Sequence, residues 1–252
     1  MTERAWYLGC TREDVGPAAV LVGDRARAHL AAELLDDARV VNESRGLTTV
    51  TGTWKGQTLT VSAFGMGAPI AAVVMHELSL VGVRAFLRLG TALTFGATRL
   101  GDLVLSEGAY RGESTSSTYL PLAYPAVPDF GLNRVLHEIL CAQGRPHRSG
   151  LYASFDGFYT EMFDAQSKRL EESSPVEKLA EFGVIALDME TSAVLVAARR
   201  LGVSAASLCL ATVEHETHSI MGDDERADAE RELLAVGFDG LVRHLSLDLA
   251  HQ

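Results

Sequence analysis

The sequence predicts an α/β layer fold made by one domain spanning residues 1–252. Two observations lead there. Short apolar runs alternate along the chain with stretches of helical period, which is the pattern of strands backed by helices. No Pro-, Ser- or Gly-rich linker, internal repeat or low-complexity stretch divides the chain. Its 252 residues, 47% hydrophobic and 22% charged, suffice to bury a large core without disulfides or metal staples.

The elements follow in order. Ala18–Val22 is an unbroken apolar run and reads as a buried strand. It ends at Gly23-Asp24, and a helix is predicted from Ala28 to Leu35. Ala38–Val41 reads as a strand. Leu47–Trp54 and Thr58–Ala63, rich in β-branched residues and joined at Lys55-Gly56, predict a hairpin. Gly65-Met66-Gly67-Ala68-Pro69 breaks the second strand, and a helix runs on to about Leu80. Arg84–Gly90 and Asp102–Ser106 are strands. Residues 110–130, with a Ser/Thr stretch and three prolines, read as loop. An amphipathic helix over Leu132–Gln143 precedes a strand at Ser149–Ser154 and an aromatic-rich loop. Pro175–Phe182 is helical. Val184–Leu187 is a strand that meets a helix starting near Glu190. Ala205–Val213 is the last buried strand, and a charged helix covers about Asp223 to Leu245.

Charge and composition exclude some functions. The net charge is −11, opposite to what a phosphate backbone requires, so no nucleic-acid partner is expected. A local group of arginines can still hold a small anion. No run approaches a membrane span, and the first residues carry no apolar stretch, so neither a membrane anchor nor a signal peptide is expected. Cys10, Cys141 and Cys209 are odd in number and lack paired spacing. They read as reduced thiols in a cytoplasmic protein.

Four stretches could carry chemistry. Gly23-Asp24-x-x-Arg27 joins a strand to a helix, where free N–H groups and a guanidinium can hold an anion. Taken alone, it also reads as an ordinary strand–turn–helix with a surface arginine. Arg88 lies inside the apolar strand Phe86-Leu87-Arg88-Leu89-Gly90. A charge there has to be paired or functional, and the C-terminal end of such a strand is where ligands gather in open α/β sheets. Asp188-Met189-Glu190 offers carboxylates that could grip a vicinal diol, or could simply cap the following helix. Glu214-His215-Glu216-Thr217-His218 has the spacing H-E-x-H, which does not put both histidines on one helix face, so no metal is expected. Glu214, directly after an apolar strand, remains a site candidate. His29, His76 and His137 fall in helical stretches and read as solvated or helix-paired. Walker, G-x-S-x-G and G-x-G-x-x-G motifs are absent from the sequence.

In order along residues 6 to 245, these pieces resemble the nucleoside phosphorylase family, in its uridine-phosphorylase-like branch. The resemblance rests on Tyr7-Leu8-Gly9, Gly23-Asp24-x-x-Arg27, Arg45 before Thr48-Thr49, and Gly65-Met66-Gly67-Ala68-Pro69. It continues through Phe86-Leu87-Arg88-Leu89-Gly90-Thr91, Pro121–Val127 with Asp129-Phe130, Phe158-Tyr159 and Met189-Glu190. Each piece is weak, and the ordered set is specific.

The resemblance implies a central mixed sheet flanked by helices and a homo-oligomer, a hexamer built as a trimer of dimers. It implies reversible phosphorolysis of a nucleoside to free base and ribose 1-phosphate, with inorganic phosphate as co-substrate and no cofactor. By position, Gly23, Arg27, Arg88 and Thr91 would hold phosphate, with Arg45 donated by a neighbouring subunit. Met189 and Glu190 would hold the ribose, and a neighbour's Tyr7 would reach its 5′ side. Phe158 would stack on the base. Ala92 and Leu93 stand where the family usually has Thr-Gly or Ser-Gly. Met162 and Asp164 fall near the glutamine and arginine that read uracil, and Tyr7 replaces a histidine. The phosphate and ribose halves thus match the family and the base half departs from it. A purine or modified base protonated by Glu214 is one alternative. A nucleoside hydrolase, or a non-catalytic nucleoside-binding protein on the same fold, is another.

Overall fold

The computed structural model describes residues 4–162 and 175–250. One continuous mixed sheet organises them. Its strands are β1 (Ala18–Val22), β2 (Asp36–Asn42), β3 (Thr49–Trp54), β4 (Gln57–Ala63), β5 (Ala85–Thr94), β6 (Leu103–Arg111), β7 (His147–Ser154), β8 (Val184–Asp188) and β9 (Ser204–Glu214). Their order is β2-β3-β4-β1-β5-β8-β7-β6-β9, and β9 also pairs with β5, so five strands close on themselves. The remaining strands extend from β5 through β1 as an open wing. The central strands β1 and β5 are parallel and buried over nearly their whole length, as strands covered on both faces must be.

The helices are α1 (Arg25–Leu34), α2 (Ala68–Leu80), α3 (Thr115–Tyr119), α4 (Phe130–Ala142), α5 (Pro175–Glu181), α6 (Thr191–Leu201) and α7 (Asp223–Ala250). Local sequence sets their ends. Asp24 caps α1 by accepting from the Ala26 N–H at 2.8 Å, and Asp129 caps α4 by accepting from Leu132 N–H at 2.9 Å. Pro69 sits in the first turn of α2, and Gly202 ends α6 in the left-handed region. The turn of the β3–β4 hairpin, Lys55-Gly56, has positive φ at both positions, the twist that antiparallel strands favour.

Side chains of β1 and β5 alternate between two cores. Val20, Val22, Leu87 and Leu89 pack with Leu132 and Leu136 of α4 and Leu233, Phe238 and Leu241 of α7. On the opposite face, Ala19, Leu21 and Phe86 pack with Val74 and Met75 of α2 and Val194 and Leu195 of α6. The period-2 pattern thus puts Arg88 on the α2–α6 face, opposite Leu87 and Leu89, as the alternation predicts.

The structure corrects several boundaries. Residues 110–130, expected as loop, contain the end of β6, the short helix α3 and a bridge between Ala109 and Ala126. Arg111 organises this segment: its guanidinium donates to the carbonyls of Leu120, Pro121, Leu122 and Tyr124. The carbonyls it reaches lie nine to thirteen residues further along the chain, a pairing that local composition does not reveal. α1 starts at Arg25 rather than Ala28, because Asp24 is a better cap than any residue after it. β5 continues past Gly90 to Thr94, because β9 pairs with it over that whole length. The aromatic stretch Phe158–Met162 winds into a π-turn. Among the described residues no helix is long and apolar enough to cross a membrane.

Phe238 lies fully buried where α7 crosses the sheet, its ring 5.4 Å from that of Trp54. Phe238→Ala is expected to cost about 3–5 kcal/mol, the usual range for emptying a packed aromatic site. Urea unfolding of the two proteins would measure it, and a loss below about 1 kcal/mol would show that α7 does not anchor the core.

Candidate active site

β1, β4 and β5 run parallel, so their C-terminal ends open on one side of the sheet. There Gly23, Gly65 and Thr91 meet the chain leaving β8, and a cavity of about 710 Å³ forms. This is the crevice that parallel sheets offer to ligands.

Arg88 forms its floor. It lies on β5 between Leu21 of β1 and Ser207 of β9 and is only 4% exposed. Gly90 makes room for it: a β-carbon there would stand 2.3 Å from the Arg88 guanidinium. The guanidinium donates to a Glu190 carboxylate oxygen at 2.5 Å and to the Cys209 sulfur at 2.7 Å, and pairs with Asp188 at 3.1 Å. Burial works against its charge, but Asp188, Cys209 and Glu190 outweigh burial and hold it charged well above the usual guanidinium range. Burial pushes the Cys209 thiol up although Arg88 opposes this.

Asp188 is the fixed partner. Its carboxylate accepts from Ser154 Oγ at 2.6 Å, from the Thr191 N–H at 3.2 Å and from the Thr191 hydroxyl. Glu190 is held more loosely, by Arg88 and by the Gly67 N–H at 2.6 Å. Gly67 precedes α2 with φ +98°, a conformation that suits glycine.

Arg27 forms the opposite wall. It is buried, donates to the Leu89 carbonyl at 3.0 Å, and lies 3.6 Å from Glu230 of α7. Burial pulls it below the usual guanidinium range, with Glu230 opposing. Glu230 also accepts from Arg226 at 3.0 Å, and Arg226 lines the cavity too. The buried Nε atoms of Arg27 and Arg88 have no hydrogen-bond partner among the described residues. The Arg27 Nε is the atom that faces Glu230 at 3.6 Å. Arg45 sits at the rim in a left-handed backbone conformation (φ 59°), its guanidinium 5.1 Å above the Tyr7 ring.

Most residues singled out from the sequence meet in this cavity. Gly23, Arg27, Arg45, Arg88, Thr91, Ala92, Leu93, Phe158, Met162, Met189 and Glu190 all line it. Tyr7 is not in its lining; it lies under Arg45, with its N–H donating to Glu77 at 2.9 Å. Glu214 is not in the lining either. It ends β9 and accepts from the Thr217 hydroxyl at 2.9 Å, while its backbone N–H donates to Ser219. Asp164 lies outside the described residues.

Sequence reasoning missed Gly67, Asp188 as the partner of Arg88, and the Arg226–Glu230 pair. Gly67 carried a signal, since it immediately precedes a helix and free N–H groups cluster there. Glu230 carried none, being about 200 residues from Arg27 in sequence and one of several charges on α7.

The model of the Phosphorylase superfamily matches residues 17–237. The guanosine phosphorylase of Halorubrum lacusprofundi is 32% identical over 237 residues, covering 94% of this chain and 92% of that protein. The uridine phosphorylase of Thermococcus kodakarensis is 29% identical over 88% of this chain and 82% of its own length. The crystal structure of uridine phosphorylase from Vibrio fischeri ES114 superposes with a TM-score of 0.86 at 26% identity, covering 96% of this chain and 98% of that one. With its arginine-floored cavity at the ends of β1 and β5 and this match over most of its length, the chain belongs to the Phosphorylase superfamily, among the nucleoside phosphorylases.

Proposed function

We propose that this protein catalyses reversible phosphorolysis of a ribonucleoside, with inorganic phosphate held by Arg27, Arg88, Gly23 and Thr91 and the ribose held by Glu190 and Met189. The observation that carries this reading is the convergence of two buried arginines and two buried carboxylates, Asp188 and Glu190, on a single cavity. A guanidinium binds phosphate through paired N–H donors and cannot give up its proton at working pH. The phosphate keeps its charge as a result. When the C1′–N bond breaks, its electron pair leaves with the base and positive charge builds on the sugar. A phosphate oxygen beside C1′ stabilises that charge and then bonds to C1′. Glu190 grips the 2′ and 3′ hydroxyls, and its contribution is positioning.

The base end of the cavity is apolar. Ala92, Leu93, Phe158 and Met162 surround it, which supports a base held by stacking and shape. A purine is the second reading, favoured by the guanosine phosphorylase among the relatives. It does not draw on Glu214, whose carboxylate is engaged by Thr217 away from the cavity. A hydrolase is less well supported, since water needs no pair of buried cations. The proposal includes a cytoplasmic, nucleoside-salvaging homo-oligomer, with Tyr7 and Arg45 completing a neighbour's site. Their exposed stacked pair at the rim and the bare Trp6 beside it, 87% exposed, are in keeping with such a contact.

The Arg88–Glu190 ion pair has a consequence for binding. Glu190 has to release Arg88 before it can take two sugar hydroxyls, and phosphate is the anion able to replace it there. Each substrate therefore prepares the site for the other.

A panel of pyrimidine and purine ribonucleosides, assayed with and without phosphate, should release free base only when phosphate is present. Release at equal rate in its absence would identify a hydrolase, and no release from any nucleoside would leave only binding. Arg27→Gln should raise the KM for phosphate by about tenfold to 150-fold, the range for losing hydrogen bonds to a charged group. Steady-state kinetics at saturating nucleoside would read it. Titration calorimetry should show phosphate tightening nucleoside binding by at least about fivefold, the lower end of ordinary coupling. Glu190→Gln, which weakens the ion pair, should remove most of that coupling, and independent binding in the unaltered protein would contradict the exchange.

A further inference from the structure

Far from the cavity, three side chains with metal-binding atoms converge. His137 and Cys141 lie one turn apart on α4 and so share a face. His147 opens β7 after a tight reversal. That reversal is built by the backbone. Gly144 takes φ +63°, its N–H donates to the Cys141 carbonyl at 3.2 Å, and the Arg145 N–H donates to the Leu140 carbonyl at 3.4 Å. This paired pattern fixes the path out of a helix, and here it swings His147 back over Cys141.

The distances suit coordination. The Cys141 sulfur is 3.6 Å from His137 Nε2 and 3.8 Å from His147 Nε2, and all three ligand atoms lie within 4.8 Å of one another. A tetrahedral ion with bonds of about 2.3 Å to sulfur and about 2.05 Å to nitrogen needs S···N edges of about 3.6 Å. The His147 Nδ1 is 2.7 Å from the Arg145 carbonyl. A proton on Nδ1 donated to that carbonyl leaves the Nε2 lone pair facing Cys141, the outer hydrogen bond that metal-bound histidines commonly have.

The geometry points to a site for one zinc-type divalent ion on His137 Nε2, Cys141 Sγ and His147 Nε2, with the fourth position open to water. One thiolate and two imidazoles form a donor set that suits zinc and cobalt(II) and suits magnesium or calcium poorly. On binding, the thiol proton leaves to solvent, and nothing is oxidised or reduced. The ion would staple the end of α4 to the start of β7. The sequence directed attention to His215 and His218 instead, because the spacing His137-x3-Cys141-x5-His147 follows no familiar paired pattern.

The site is remote from the cavity. His147 is seven residue steps along β7 from Ser154, the partner of Asp188, or about 23 Å at 3.3 Å per residue. Its occupancy therefore acts on stability rather than on the reacting groups.

Cobalt(II) chloride titrated into the chelator-treated full-length protein tests the idea. One equivalent per chain should bind and give a thiolate-to-cobalt charge-transfer band in the near ultraviolet, and zinc chloride should displace it. Cys141→Ser should abolish the band, and His147→Gln should weaken binding by at least about 100-fold, beyond the range for losing an outer-shell partner. Both positions are at least partly exposed, so both variants should fold and retain wild-type turnover. Zinc should raise the Tm of the wild-type protein and of His218→Ala, but not of Cys141→Ser. Absence of the charge-transfer band, or its persistence in Cys141→Ser, would overturn the assignment.

Discussion

The placement of Arg88 constrains everything around it. A guanidinium removed from water is tolerable only if its charge is balanced and its donors are taken up. Asp188 supplies the permanent balance, itself anchored by Ser154 and Thr191. Those anchors come from β7 and the start of α6, so a buried cation on one strand dictates what three other elements carry. Gly90 follows from the same requirement, because any side chain there would occupy the space of the guanidinium. Glu190 then differs from Asp188 in a useful way. Among the described residues its side chain is held by Arg88 and a single backbone N–H, so it is freer to change partners than Asp188.

The second arginine is balanced by different means. Arg27 faces Glu230, which it shares with Arg226. One carboxylate between two guanidinium groups leaves local positive charge, although the chain as a whole carries −11. A small anion is attracted by the nearby field rather than by the distant one, since salt screens exposed charges beyond about 10 Å. The acidic character of the molecule and an arginine-lined cavity are therefore compatible.

Much of this was legible in the sequence, for identifiable reasons. β1 and the core of β5 declared themselves as apolar runs, and the hairpin by its β-branched strands around Lys55-Gly56. Arg88 stood out because a charge inside an apolar strand violates the expected pattern. What stayed hidden depends on contacts between distant segments. The closure of β9 onto β5 and the Glu230 counter-charge each join parts of the chain with no local mark of their association. Glu214 illustrates the converse. Its position after an apolar strand was suggestive, but β9 bulges at Thr212, where its register against β5 shifts, and the bulge breaks the alternation of faces. Thr212 and Val213 both line the cavity there and Glu214 does not.

The closing of five strands upon themselves bears on how such a protein can diversify. β5 is pinned by β9 along one edge and by β1 and then β8 along the other, so the strand that carries Arg88 cannot drift without disturbing both halves of the sheet. The Phe158–Met162 turn, whose two ends line the same cavity, belongs to no strand. Substitutions in that turn can therefore reshape one wall of the cavity while the strand that carries Arg88 stays where it is.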